Sequence, residues 1–103
     1  MATSLDTRFY VSVSANDSEV DDCTPDNGKI VCIYEVGGNG CASHDVKVQI
    51  TFGTEILFST HGDAVHKTSI CLTGDGSKKL SISLINDSDV AETIGGFYKG
   101  TEI

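Results

Sequence analysis

The chain has 103 residues, enough for one domain, residues 1–103, whose core forms without needing cross-links. Lys and Arg number 7 against 15 Asp and Glu, a formal net charge of −8 that repels phosphate backbones and anionic lipid, so nucleic acid is not expected as a partner. No apolar run reaches membrane-spanning length, and Met1 to Tyr10 holds no basic segment followed by a hydrophobic one; neither membrane insertion nor a visible secretory signal is expected.

Apolar residues recur with a period of two, and no stretch sustains a period of 3.6 over ten residues, so the sequence predicts an all-β chain. The first strand is "RFYVSVS", with Phe9, Val11 and Val13 on one side. A short edge strand follows near Glu19 to Thr24, within an acidic cluster of Asp17, Glu19, Asp21, Asp22 and Asp26 that reads as a solvated face. "KIVCIYEV" is apolar on both faces and is expected at the centre of a sheet. "DVKVQITF" aligns Val46, Val48, Ile50 and Phe52; "EILFST" and "VHKTSICL" follow, and "LSISLI" aligns Leu80, Ile82 and Leu84. Only 88–93 could hold a helical turn, with Ser88 as its cap, before a last strand around "GFYKGTEI". Eight strands of this kind predict a two-sheet antiparallel β-sandwich with a largely up-and-down strand order.

The pair Asn27-Gly28 is the strongest hairpin signal in the chain, because a type I′ turn needs positive φ at both central residues. A turn there sets Pro25 opposite Ile30 and Cys23 opposite Cys32, both in non-hydrogen-bonded positions. Facing Cα atoms then lie about 4.5 Å apart, within the roughly 4.4–6.8 Å that a disulfide tolerates. The sequence therefore predicts a Cys23–Cys32 bond. In a strict meander Cys41 and Cys71 fall at opposite ends, about 20 Å apart at about 3.3 Å per residue; a bond between them would overturn that strand order.

Alternating strand directions sort the connections by end. Tight turns at Asn27-Gly28, Gly53-Thr54 and 73–78 fall at one end, and the polar loops "ANDS", "GGNGCASH", "HGDA" and "NDSDVAET" at the other. The triplet "SHD" at 43–45 cannot converge on a triad, since neighbours along a strand point to opposite faces. His61 beside Asp63 reads as a surface pair, and no nucleophile elbow or phosphate loop occurs, so no enzyme activity is expected. For zinc, only Cys41 and His44 are closely spaced. Asn, Asp, His and Gly concentrated at one end suit a shallow polar sugar site better than an apolar one. The candidate carbohydrate-binding residues are Gly38, Asn39, His61, Asp63, Asn86 and Asp87, with a sheet face carrying Lys47, Gln49 and Thr51 as the alternative place. No cofactor is expected; calcium on the acidic cluster is the alternative, although the alternating Asp-x-Asp-x-Asp-Gly loop is not present. Asn16 and Asn86 each open an Asn-x-Ser sequon, relevant only after passage through a secretory pathway.

An acidic all-β chain of this length, with four cysteines and Asn/Gly loops over an up-and-down strand order, resembles the small haemagglutinin lectins of plasmodial slime moulds. The resemblance implies a sandwich similar to legume lectins and galectins but lacking the full jelly roll, secreted and binding sugars on glycoproteins. Galectins use a Trp and this chain has none; the legume combination of Asp, Asn, loop Gly and an aromatic residue is present only as residue types. The sequence reading is thus a non-catalytic carbohydrate-binding protein whose partners are glycans or glycoproteins, with a homo-oligomer left open because agglutination needs two sites. The rival reading is an acidic, calcium-dependent adhesion domain. Secretion or cell-surface display by a route without a visible signal is expected, with a cytoplasmic location as the alternative.

Overall fold

A computed structural model of the chain describes residues 2–39, 46–61 and 65–103. Its strands are β1 (Thr3–Val13), β2 (Asp17–Cys23), β3 (Ile30–Asn39), β4 (Val46–Phe52), β5 (Glu55–His61), β6 (Val65–Thr73), β7 (Leu80–Asn86) and β8 (Glu92–Glu102). They form two antiparallel four-stranded sheets packed as a sandwich, one ordered β1-β8-β3-β6 and the other β2-β7-β4-β5. The core lies between them, where alternate residues meet: Val13, Ile33, Val36 and Ile94 from the first sheet, Val48, Ile50, Ile82 and Leu84 from the second. β8 comes close to the opposite sheet because Gly96 carries no side chain. A Cβ there would lie 2.9 Å from Leu84 Cδ2 and 3.0 Å from both Ile82 Cδ1 and Val48 Cγ1.

The sandwich and the faces of its strands follow the sequence reading; the strand order does not. Only β4 and β5 are neighbours both in sequence and in a sheet, joined through Gly53 and Thr54. The other connections cross between sheets, which is the two-Greek-key order of a jelly roll. The expectation of an up-and-down order without a full jelly roll is therefore corrected. The physical cause is the match of the two longest strands: β1 and β8 pair over eleven positions, Thr3 with Glu102 through Val13 with Glu92, which places the chain's two ends side by side. The 88–93 segment is not helical; bends lead directly into β8.

The Asn27-Gly28 turn exists but joins no hairpin. Lys29 N–H donates to Asp26 O at 3.0 Å, and Gly28 has φ 86° while Asn27 is not among the positive-φ residues, the φ signs of a type II turn. The loop's remaining backbone groups bond the 74–76 loop instead: Gly28 N–H to Gly74 O, Gly74 N–H to Lys29 O and Gly76 N–H to Pro25 O. β2 thus enters one sheet and β3 the other. This overturns the Cys23–Cys32 bond, because Cys23 now faces Leu80 across β7 and keeps a free, exposed thiol. Cys32 is bonded to Cys71, its register partner across β3 and β6, with Cα atoms 4.1 Å apart. Cys41 lies outside the described residues.

Candidate functional site

Antiparallel pairing preserves the sorting of connections by end. Val13, Asp17, Asn39, Val46, His61, Val65, Asn86 and Glu92 all terminate strands at the long-loop end. Of the predicted sugar residues, Gly38, Asn39, His61, Asn86 and Asp87 are described, and they lie at that end on different strands and connections. Gly38 is buried in the first sheet, opposite Gly96, and Asn39 pairs with Gly95. His61 is exposed on β5, at the edge of the second sheet, and Asp87 is exposed after β7. Asp63 lies outside the described residues, as do His44 and the 43–45 triplet.

Asn86 must be withdrawn from the ligand set. It is 0% exposed, and its Nδ2 donates to Val13 O (3.1 Å), Ser14 O (3.3 Å) and Val90 O (2.8 Å). Its Oδ1 accepts from the Ser88 N–H at 2.9 Å and the Ser88 hydroxyl at 2.6 Å. The amide ties the β1–β2 connection to the β7–β8 connection, so its polar atoms are occupied by backbone and by Ser88. The sequon it begins is closed in the folded chain for the same reason, whereas Asn16 is exposed.

A cleft lies at the other end, and sequence reasoning did not locate it. It has a volume of about 410 Å³ and opens where the β1 edge of one sheet meets the β2 edge of the other. This is within the roughly 300–1,000 Å³ of small-molecule sites. The cause is legible in β2. Glu19, Asp21 and Cys23 stand opposite Leu84, Ile82 and Leu80, the inward-facing residues of β7, so they occupy positions that would normally close the core. Carboxylates are costly to bury without partners, and every residue of β2 stays exposed. The edge of the sandwich is left unsealed above Leu5 and Thr7 of β1.

Leu5, Pro25, Val31 and Leu80 give the cleft an apolar wall. Thr7, Thr24 and the Tyr98 phenol bring hydroxyls; Asp26 and Glu102 bring carboxylates, and Lys29 an ammonium group. Tyr98 is only 2% exposed, and its hydroxyl lies 4.0 Å from Cys23 Sγ. Burial pushes its phenol up to about 12, against the opposing hydrogen bond with Thr7; Cys23 and the Asp21 charge add to the rise. The phenol is therefore a neutral O–H at physiological pH, able to donate and accept. The signal that could have revealed the cleft is the period-two alternation of Asp17, Glu19, Asp21 and Cys23, which puts acid on the inward side of a strand.

Elsewhere Glu35, Asp75 and His66 have structural partners. Glu35 pairs with Lys67 and, at 3.7 Å, with Lys99, and the Lys67 hydrogen bond holds its carboxyl below the usual range. Asp75 is lowered by the backbone N–H groups of Lys78 and Ser77 in its turn. His66 Nε2 lies 2.9 Å from the Thr60 hydroxyl, with its ring against Phe58. Among the described residues no three His, Cys, Asp or Glu side chains are grouped to hold a metal ion, and no helix is long and apolar enough to cross a membrane.

No protein-family model and no curated protein matches the chain. Solved structures do match it in fold. A mitogen derived from Yersinia pseudotuberculosis superposes with a TM-score of 0.60 at 7% identity, over 93% of this chain and 85% of its own. A phage capsid structure from Helicobacter pylori bacteriophage KHP30 gives 0.55 at 12% identity over 100% and 94%. The Aeromonas hydrophila periplasmic inhibitor of g-type lysozyme gives 0.54 at 13% identity over 93% and 85%. At such identities the likeness is one of fold alone: the described residues form an eight-stranded jelly-roll sandwich.

Proposed function

We propose that the chain is a non-catalytic carbohydrate-binding protein that recognises glycans of glycoproteins, and that the sugar occupies the cleft between β1 and β2. The observation that carries this reading is the mixed lining of the cleft. A pyranose has an apolar C–H face and a rim of hydroxyls that both donate and accept. Leu5, Val31 and Leu80 suit the first; Thr7, Thr24, Tyr98, Asp26 and Glu102 suit the second. Asp26 and Glu102 in the lining, with the Asp21 charge acting on Tyr98, outweigh Lys29, so neutral sugars are favoured over sialylated or sulfated ones.

The Cys32–Cys71 bond is compatible with a secreted or cell-surface location, where disulfides persist. The proposed lectin needs no calcium, whereas the rival adhesion reading does. A glycan array probed with calcium and with chelator tests the assignment. Retention of neutral glycans under both conditions is expected. Absence of any glycan signal, together with a calcium-dependent gain in stability, would replace this reading with the adhesion domain.

A further inference from the structure

The outward face of the first sheet carries a second arrangement of a different kind. β1, β8 and β3 present successive rows there: Asp6, Lys99 and Glu35; then Arg8, Phe97 and Gly37; then Tyr10 and Gly95. Tyr10 is 62% exposed and stands beside the bare backbone of Gly95. A tyrosine commonly covers a cross-strand glycine for stability alone, but with this exposure most of the ring is left to solvent. A hollow of about 100 Å³ lies between Arg8, Tyr10, Gly95 and Phe97. The Arg8 guanidinium sits 5.2 Å from the Phe97 ring centroid and Lys99 Nζ 5.8 Å from it, so two cations are held against an aromatic floor that is 8% exposed. Arg8 Nε lies 3.2 Å from Asp6, on the side away from Tyr10 along β1.

The charge of this face is opposite to that of the cleft. Arg8, Lys67 and Lys99 outnumber Asp6 and Glu35 by one, in a chain whose net charge is −8. Tyr10 offers a flat stacking surface, the glycines let a ring lie close to backbone, and the guanidinium fits a carboxylate in bidentate geometry. We infer that the outer face of the first sheet, centred on Tyr10 and Arg8, is a second carbohydrate site that takes a carboxylate-bearing sugar ring. This rests on the carbohydrate-binding reading and deepens it: one chain carries two sites, the cleft for neutral sugar and this face for acidic sugar, and so cross-links glycans as a monomer.

The test is a backbone-amide titration of the full chain with sialyllactose, with lactose as its uncharged counterpart. Shifts at Tyr10, Gly37, Gly95 and Phe97 are expected with sialyllactose, and binding about tenfold or more weaker with lactose. Arg8→Gln removes that difference; Tyr10→Leu, which keeps Gly95 covered, abolishes the shifts. Both substitutions are at exposed positions and leave the thermal midpoint nearly unchanged. Sialyllactose leaving these amides unmoved, or moving them equally in both variants, overturns the site. Shifts confined to Thr7, Thr24 and Tyr98 would overturn it while supporting the cleft, and the face responding to sialyllactose while the cleft stays silent to lactose would retain it while removing the cleft's role.

Discussion

Replacing both Cys32 and Cys71 with Ser tests the topology at its most consequential covalent point. The bond joins residues separated by 39 positions, and in the chain-entropy model a loop of that size restricts the unfolded state by about 4 kcal/mol at 25 °C. Small domains are stable by roughly 5–15 kcal/mol, so the double variant should lose a quarter or more of its stability and unfold at a clearly lower urea midpoint, with a steeper slope because the unfolded chain without its cross-link exposes more surface. Cys23→Ser should shift the midpoint by no more than about 0.5 kcal/mol, because that thiol is free and exposed. Non-reducing digestion after Lys and Glu identifies the pairing directly. Peptide 30–35 should be linked to 68–78, the cut after Glu35 separating Cys32 from Cys41. A linked peptide containing Cys23, or a double variant as stable as the parent, would refute both the pairing and the placement of β3 beside β6.

Tyr98 makes stability depend on alkaline pH. Its pKa is raised from 10.0 to about 12 on folding, so its contribution is complete below pH 10 and is lost as pH rises through about 12. The loss is of the order of 2 kcal/mol after allowance for solvent at the cleft. Tyr98→Phe should flatten the parent's extra alkaline loss in denaturant melts followed from pH 9 to 12, and an unchanged slope would count against the buried phenol. Asn86→Ala should cost about 1–3 kcal/mol by removing the buried amide that bonds the carbonyls of Val13, Ser14 and Val90, of which Ser14 and Val90 keep the Asp17 N–H and the Ser88 hydroxyl as donors, measured by urea unfolding. Glycan binding to the surviving folded protein should be unaffected; weakened binding at full stability would restore Asn86 as a ligand.

Much of the sandwich was readable because burial on one face of a strand imposes a period of two. Val46, Val48 and Ile50, and Leu80, Ile82 and Leu84, are buried as their alternation indicates, and "KIVCIYEV" lies between two neighbours in its sheet. Pairing partners were not readable from local pattern, because the hydrogen bonds that select them are backbone groups common to all residues. Asn27-Gly28 therefore announced a turn correctly and a hairpin wrongly: the turn is local, whereas the loop's other partners are forty-odd residues away around Gly74. The role of Asn86 was unreadable for a related reason. Asn86 has the chemistry of a sugar ligand, yet its burial is decided by two loops that close over it. Conversely the acidic run is solvated surface, as its charge indicates, but its alternate members face the core side of β2 and hold the cleft open.

The central claim is that the cleft between β1 and β2 holds neutral sugar. Its most direct measurement is a backbone-amide titration with the neutral oligosaccharide best retained on the array, repeated on Thr7→Val and Thr24→Val. These changes remove a hydroxyl at nearly constant shape, so each should weaken binding by about tenfold while the fold persists. The account predicts shifts concentrated on Thr7, Thr24, Asp26 and Tyr98 and lost in parallel with affinity. Shifts gathered at His61 and Asp87 or along Lys47, Gln49 and Thr51, with the cleft silent and both variants binding as the parent does, would contradict it.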